Sequence, residues 1–280
     1  MTSGPRISDS KDLYWLAGLL EGEGSFLKPR PSTPTIPRIT IEMCDKDVIE
    51  RVAYVFGVNY VYHRQPKQQN RKDRYGVASA AKNAFKIMQA VYPIMGERRK
   101  QQILAATNAK AINDCPLDQE YEIYWLVGLL EGEGTFLKGI PSHPNKPILK
   151  IQMNDRDVLD RVAQFFHVNV LGPIERKSNR LGDMPYYIVS KQGRPAVQLM
   201  QQIRPMMGER RQGQIDAAIA SYEDRSGVNH PNVKLTVEQV REIRRQVAEG
   251  EKLTRLAGKY GVDISLIWQI KARRAWKDVE

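Results

Sequence analysis

Cysteine is nearly absent. Cys44 and Cys115 are the two in 280 residues, too few for the multi-disulfide frame that holds small secreted proteins together. No stretch approaches the roughly 18 consecutive apolar residues that span a bilayer, which excludes a helical membrane protein. Met1 to Lys11 has no apolar signal region, so the expectation is a reduced, intracellular protein, cytoplasmic or nucleoid-associated and not secreted. Neither a disordered nor a collagen-like chain fits 41% hydrophobic and 27% charged residues, and the length suggests two domains or a duplicated one.

Acidic residues are also in deficit, 32 Asp and Glu against 43 Lys and Arg, for a formal charge of +11. A pI near 9.6 points to a polyanionic partner, with nucleic acid the leading candidate. Charge alone is a weak signal, because many basic proteins are merely soluble.

The internal organisation says more, because the chain repeats itself. Tyr14 to Lys28 reads YWLAGLLEGEGSFLK and Tyr124 to Lys138 reads YWLVGLLEGEGTFLK, differing only at Ala17/Val127 and Ser25/Thr135. The match continues from Ile41–Phe56 to Ile151–Phe166, and again from Pro93–Arg99 to Pro205–Arg211. Two copies of one unit therefore occupy residues 10 to 220. The boundaries expected are 1–112 and 113–222 for the repeats, 223–233 for a linker and 234–280 for a third module.

Each copy has one grammar. An apolar helical stretch, Leu13 to Glu21 or Ile123 to Glu131, follows Asp12 or Glu122 and stops where glycine ends a helix cheaply. A strand follows over Ser25 to Lys28. Past a Pro-rich turn, Arg38 to Met43 alternates as a half-buried strand does, with Ile39, Ile41 and Met43 toward the core. A helix over Asp45 to Phe56, a hairpin with strands Tyr60–Arg64 and Arg74–Ser79, a helix over Ala81 to Val91 and another over Glu97 to Asn108 complete the unit. The fold class expected is α+β, with helices on one face of each sheet and the other face polar.

Gly18 and Gly22 share one face of the first helix, as do Gly128 and Gly132 of its copy. Glycine inside a helix costs up to about 1 kcal/mol against alanine, so a repeated pair implies a close backbone approach, most simply by the other copy's helix. That crossing brings Glu21, Glu23, Glu131 and Glu133 together at two helix C-termini. The macrodipoles and the like charges both oppose such a gathering. A divalent cation resolves the conflict, and Mg²⁺ binds one or two carboxylates together with substrate phosphates. The competing reading is a helix-packing module whose glutamates cap or pair locally.

Leu16-Ala-Gly-Leu-Leu-Glu-Gly-Glu-Gly24 and Leu126-Val-Gly-Leu-Leu-Glu-Gly-Glu-Gly134 resemble the signature of the LAGLIDADG homing endonucleases in their two-motif, single-chain form. The resemblance covers residues 10 to 220. It implies duplicated αββαββα units in a pseudo-two-fold pair, with the motif helices at the interface and two saddle-shaped antiparallel sheets on DNA. It also implies metal-binding acids at the end of each motif, here Glu23 and Glu133, assisted by the Gly22 and Gly132 carbonyls. The chain departs from the commonest pattern in having Glu where Asp is more frequent, and the longer side chain alters the metal spacing. Arg98 and Arg210 fall where the family carries an assisting basic residue, with Arg99, Lys100 and Arg211 as neighbours; a solvated basic helix end is the alternative. Asp45 and Asp155 resemble the position that orders the water pocket, or are helix N-caps.

Facing away from the core, Arg38, Thr40 and Glu42 in copy one, and Ile148, Lys150 and Gln152 in copy two, carry base-reading chemistry for a β-ribbon in the major groove. The second hairpins add Tyr62, Arg64, Lys67, Arg71 and Arg74, then Arg176, Lys177, Arg180 and Tyr186, whose loop cations suit phosphates. The copies differ most here, so an asymmetric target is expected.

Beyond the polar Ser221–Asn232, KLTVEQVREIRR and LAGKYGVDISLIWQI resemble a small helix-turn-helix of the type appended to mobile-element nucleases. The helices expected are Val237–Ala248, Leu253–Tyr260 and Ile264–Arg273. Asp263 would cap the third, placing Ser265, Trp268, Gln269 and Lys271 at the groove and Arg273 and Arg274 on phosphates. A basic three-helix tail that only packs is the alternative. The reading of the whole is a monomeric, Mg²⁺-dependent, site-specific double-strand DNA endonuclease. The alternative is an intron maturase or DNA-binding regulator that keeps the fold without cleavage.

Overall fold

The computed structural model describes residues 4–28, 32, 36–66, 72–108, 117–175, 184–223, 233–277 and 279. Cys115 and most of the expected linker lie outside these residues. The first unit runs α1 (Ser10–Glu23), β1 (Ser25–Leu27), β2 (Arg38–Met43), α2 (Lys46–Phe56), β3 (Tyr62–Arg64), β4 (Arg74–Ala80), α3 (Ala81–Val91) and α4 (Glu97–Ala106). The second repeats it as α5 (Glu122–Glu133), β5 (Gly134–Leu137), β6 (Ile148–Met153), α6 (Arg156–Phe166), β7 (Leu171–Ile174), β8 (Tyr186–Gln192), α7 (Arg194–Ile203) and α8 (Glu209–Ala220). The fold is α+β and duplicated. Each unit carries a four-stranded antiparallel sheet, in the order β1-β2-β4-β3 or β5-β6-β8-β7.

The period-2 pattern decides the faces. Ile39, Ile41 and Met43 on β2, and Leu149, Ile151 and Met153 on β6, are buried against the helices. Their neighbours Arg38, Thr40 and Glu42, and Ile148, Lys150 and Gln152, stand on the opposite, accessible face. One hydrophobic core runs through both units, because α1 and α5 pack on each other and carry Leu16, Leu19, Leu20, Leu126, Leu129 and Leu130 at full burial. No described helix is long and apolar enough to cross a membrane.

Gly18 and Gly128 meet the facing helix's backbone, as expected, whereas Gly22 and Gly132 meet the side chains of Glu133 and Glu23. A Cβ on Gly18 would collide with the Trp125 carbonyl and stand 2.9 Å from Leu129 N; one on Gly128 would collide with the Trp15 carbonyl. The contacts are reciprocal, as an approximate two-fold axis between the units requires. Over Trp15 lies the Arg51 guanidinium at 3.8 Å, which also donates to Asp12; over Trp125 lies Arg161 at 3.7 Å, which binds Glu122. These cations make a matched pair of stacking contacts, one on each unit's tryptophan.

Three expectations of local structure change. The motif helices continue to Glu23 and Glu133 rather than stopping at Glu21 and Glu131, so both acids of each motif are helical. The residue that follows, Gly24 or Gly134, has ordinary extended backbone, so glycine's conformational freedom is not what ends the helix. Its missing side chain serves space instead, since a Cβ on Gly24 would stand 2.6 Å from the Leu20 carbonyl oxygen. In the C-terminal module α9 (Val237–Ala248) and α10 (Leu253–Tyr260) have the expected bounds, but α11 (Ile264–Lys271) ends early. Arg273 and Trp276 take left-handed backbone, which turns Trp276 back onto Val240, Ile243, Leu256 and Ile267 in a separate small core. Arg244 fixes that return by donating to the Trp276 carbonyl at 2.9 Å. Thr236 and Gln239 form a reciprocal capping box on α9.

Candidate functional site

The site forms where α1 and α5 end side by side. Each terminal glutamate leans across the interface: the Glu133 Cγ lies 2.9 Å from where a Cβ on Gly22 would stand, and the Glu23 Cγ lies equally near Gly132. Any side chain at these glycines would displace the carboxylates, so the Gly-Glu pairs of both motifs are one steric unit. Burial pushes the Glu23 carboxyl above its ordinary range, while the Arg211 and Arg99 guanidiniums pull it back. Burial also raises Glu133, and the Glu23 charge raises it further. The Glu23 charge therefore opposes ionisation of Glu133 across the interface.

A second layer of acids lies behind them. Glu21 and Glu131 are essentially buried and accept hydrogen bonds from the Gly96 and Gly208 backbone N–H, the former at 2.7 Å. Burial raises both carboxyls to about 7. Each keeps one oxygen without a hydrogen-bond partner among the described residues, Glu21 Oε1 and Glu131 Oε2.

The repeated Gly-Glu-Arg-Arg sequence places two different arginines at this point. Arg99 and Arg211, only 6% exposed, lie under the helix ends. Arg99 donates to the Glu21 and Gly22 carbonyls, each at 2.8 Å. Arg211 donates to the Glu131, Gly132 and Gly134 carbonyls. They satisfy C-terminal carbonyls that a helix otherwise leaves unpaired and oppose its negative dipole end. Burial lowers both guanidiniums, Arg211 to about 10. The preceding residues point the other way: Arg98 binds Asp155 of the second unit through both carboxylate oxygens, and Arg210 binds Asp45 of the first at 2.6 Å.

Asp45 and Asp155 occupy N-cap positions of α2 and α6, yet neither side chain caps its own helix. The carboxylates that do cap come from across the interface. Asp157 accepts from the Glu97 N–H and Asp47 from the Glu209 N–H, both at 2.8 Å. The start of α4 is thus held by unit two and the start of α8 by unit one. The repeated Asp-x-Asp of Asp45-Lys46-Asp47 and Asp155-Arg156-Asp157 is the one sequence signal for this lock, and only tertiary structure reveals its meaning.

A cleft of about 310 Å³ opens on the first unit's side, lined by Glu23, Glu42, Asp45, Lys72, Arg74, Gly132 and Arg210 among others. It joins the ends of both motif helices to the first sheet. Lys72 and the exposed Cys44 also line it and are not marked by any pattern in the sequence. Glu42, expected on the base-reading face, stands on that face and pairs with Arg74 at 3.2 Å and Arg64 at 3.6 Å, and accepts from Tyr62 Oη at 3.4 Å. Arg38, Thr40, Lys150 and Gln152 lie on the accessible faces expected for them, and Tyr186 stands opposite Ile174 in the second hairpin. Lys67, Arg71, Arg176, Lys177 and Arg180 lie outside the described residues. In the C-terminal module Ser265, Trp268, Gln269, Lys271 and Arg273 are all exposed, and Arg274 stacks on Trp268 at 4.8 Å.

No cluster of three or more His, Cys, Asp and Glu is close enough to hold an ion among the described residues. The available donors are two opposed carboxylates and two carbonyls, each carbonyl with one lone pair already given to an arginine. That set fits Mg²⁺, which takes hard oxygen donors and fills most of its shell with water and substrate phosphate.

No family model and no curated protein matches this chain. Among solved structures it is similar to the LAGLIDADG homing endonuclease I-LtrWI bound to target DNA, at 14% identity over 94% of this chain and 97% of that one, with a TM-score of 0.44. It is also similar to the meganuclease I-AabMI bound to uncleaved DNA (15%, 75% and 90%, 0.47) and to I-GzeII in complex with its DNA target (12%, 75% and 89%, 0.43).

Proposed function

We propose that this chain is a site-specific double-strand DNA endonuclease that hydrolyses one phosphodiester in each strand with Mg²⁺ and acts as a monomer with two half-sites. The observation that carries the reading is the pair Glu23 and Glu133, each seated on the glycine of the facing motif and held at the end of its helix by a buried arginine. Nothing in the packing of α1 and α5 requires carboxylates there, and their mutual repulsion is a standing cost.

In this reading Glu23 and Glu133, with the Gly22 and Gly132 carbonyls, would hold the divalent ion, which when bound would supply charge stabilisation and lower the cost of deprotonating water. Arg98 and Arg210 are exposed enough to exchange their aspartate partners for a phosphate and stabilise the charge that builds on it. Asp45 and Asp155, released by that exchange, can accept a proton from or orient water. The two sheets bind the major groove, and the C-terminal module is a helix-turn-helix whose α11 adds base and phosphate contacts. Residues 1–112 and 113–222 are the two half-site units, 223–233 the linker and 234–280 the appended domain.

A binding-only protein, a maturase or regulator, draws on one observation, the engagement of both glycine carbonyls by Arg99 and Arg211. Selection of cleaved duplexes from a DNA library in Mg²⁺, with a Glu23→Gln/Glu133→Gln protein in parallel, separates the readings. A unique double-strand cut that disappears in the variant supports the nuclease. Specific binding without a cut overturns it.

A further inference from the structure

The two sheets offer opposite chemistry to whatever lies on their accessible faces. In unit one, Glu42, Gly76 and Tyr62 stand directly opposite one another across β2, β4 and β3, and Arg74 and Arg64 form the next cross-strand pair. Directly opposed residues share a face. A Cβ on Gly76 would overlap the Tyr62 ring, so glycine lets the tyrosine lie across the strand and reach Glu42. Glu42 then anchors Tyr62, Arg64 and Arg74, while both guanidiniums stay mostly exposed at 71% and 63%. These are cations aimed outward by one acid.

The equivalent row in unit two is Gln152, Ile188 and Leu171, followed by Tyr186 and Ile174. A register shift between Leu171 and Ile174 keeps both opposite residues of β8 that share the outer face. Leu137, opposite Ile148, extends the apolar surface. Leu171 is 62% and Leu137 44% exposed. Among the described strand residues of this face Lys150 is the sole cation; Lys191 turns inward to the Phe166 carbonyl. The charge of +11 and the ribbon width select duplex DNA as the occupant of both faces.

We infer that the sheet of unit one selects guanine, through Arg64 and Arg74 held by Glu42, whereas the sheet of unit two selects A·T pairs, through Leu171 and Ile188 on thymine methyls with Gln152 on adenine. A fixed guanidinium fork matches the O6 and N7 acceptors of guanine; an apolar patch has no partner in the major groove except the thymine methyl. Glu42 is a positioning residue in this scheme rather than a reader of cytosine. The inference rests on the DNA-binding reading above and names the base chemistry of its two halves.

The experiment uses the full chain and a randomised duplex library, selected for binding with Ca²⁺ in place of Mg²⁺. The enriched duplex is then remade with 7-deazaguanine, which lacks N7, or with deoxyuridine, which lacks the thymine methyl. Expected is a loss of affinity of about tenfold from 7-deazaguanine in one half only. A loss of roughly fourfold from deoxyuridine is expected in the other half only, the worth of one methyl group buried on thymine. R64A/R74A should abolish the first penalty and L171S/I188S the second, and E42Q should shrink the first while leaving the second intact. Penalties that ignore these outer-face variants, or that appear equally in both halves, overturn the inference and leave DNA recognition standing. If no duplex is enriched, DNA recognition and the inference fall together.

Discussion

Glu23 and Glu21 are two residues apart and have different work. Glu23 stands at the edge of the cleft, and Glu23→Gln removes one charge while keeping the shape. Strand-resolved gel assays should show loss of cutting of at least one strand, with Ca²⁺-supported binding within about twofold of the parent; unchanged cleavage would remove the metal assignment. Glu21 is behind it, buried on the Gly96 N–H, with its carboxyl raised to about 7. A raised acid contributes stability below its unfolded value, near 4.5, and loses it as pH climbs through 7. Denaturant unfolding should therefore show the parent losing, between pH 5 and 8, on the order of 3 kcal/mol that Glu21→Gln does not lose. Equal pH slopes for the two proteins would refute this. Individual roles are only partly legible in sequence. Glu23 and Glu133 are named by their motif, but Arg98 and Arg99 are adjacent and indistinguishable there. Only the direction of α4 sends one to the opposing Asp155 and the other under its own unit's motif helix.

At the scale of elements, the α1 and α5 crossing is the most constrained meeting of helices in the molecule. Gly18→Ala forces a methyl onto the Trp125 carbonyl, a backbone atom that cannot swing aside. Such overpacking should cost about 3 kcal/mol or more, measurable as a drop in thermal midpoint, and Gly128→Ala should match it by reciprocity. Ala17→Val is the contrasting control, since Val127 already fills the corresponding place in α5. The elements themselves are readable, because each is specified by a local pattern. Alternation fixes β2 to its last residue, and Ala81–Val91 and Val237–Ala248 have the helical period. Helix ends are less so. The motif helices overrun their first glutamate because Arg99 and Arg211 satisfy carbonyls that would otherwise fray, and these arginines follow their Glu21 and Glu131 acceptors by 78 and 80 residues. A hydrogen bond closed over that distance leaves no local trace.

At the scale of the whole chain, one continuous core joins the two repeats, whereas α9, α10 and α11 close around their own. Removing residues 233–280 should leave the main unfolding transition intact while weakening DNA binding and lowering its salt slope, because every phosphate that the module neutralises adds about 0.9 to that slope. Titration of fluorescent duplex at several salt concentrations measures both; no change in either would show that the module does not touch DNA. The duplication is plain in sequence and the pairing of its halves is not, because Asp45, Asp47, Asp155 and Asp157 find Arg210, the Glu209 N–H, Arg98 and the Glu97 N–H only across the interface.

That exchange of caps bears on symmetry as well as stability. Each half carries both members of every crossing pair: Asp45 and Asp47 with Arg98 and the Glu97 N–H in one, Asp155 and Asp157 with Arg210 and the Glu209 N–H in the other. Such a surface is self-complementary, the defining property of an isologous two-fold contact. Two copies of either half could therefore reproduce the whole lock, Arg98 meeting Asp45 where it now meets Asp155. The present chain thus carries within itself an interface of the isologous kind, with matched contacts along the seam and different residues on the two sheets that flank it.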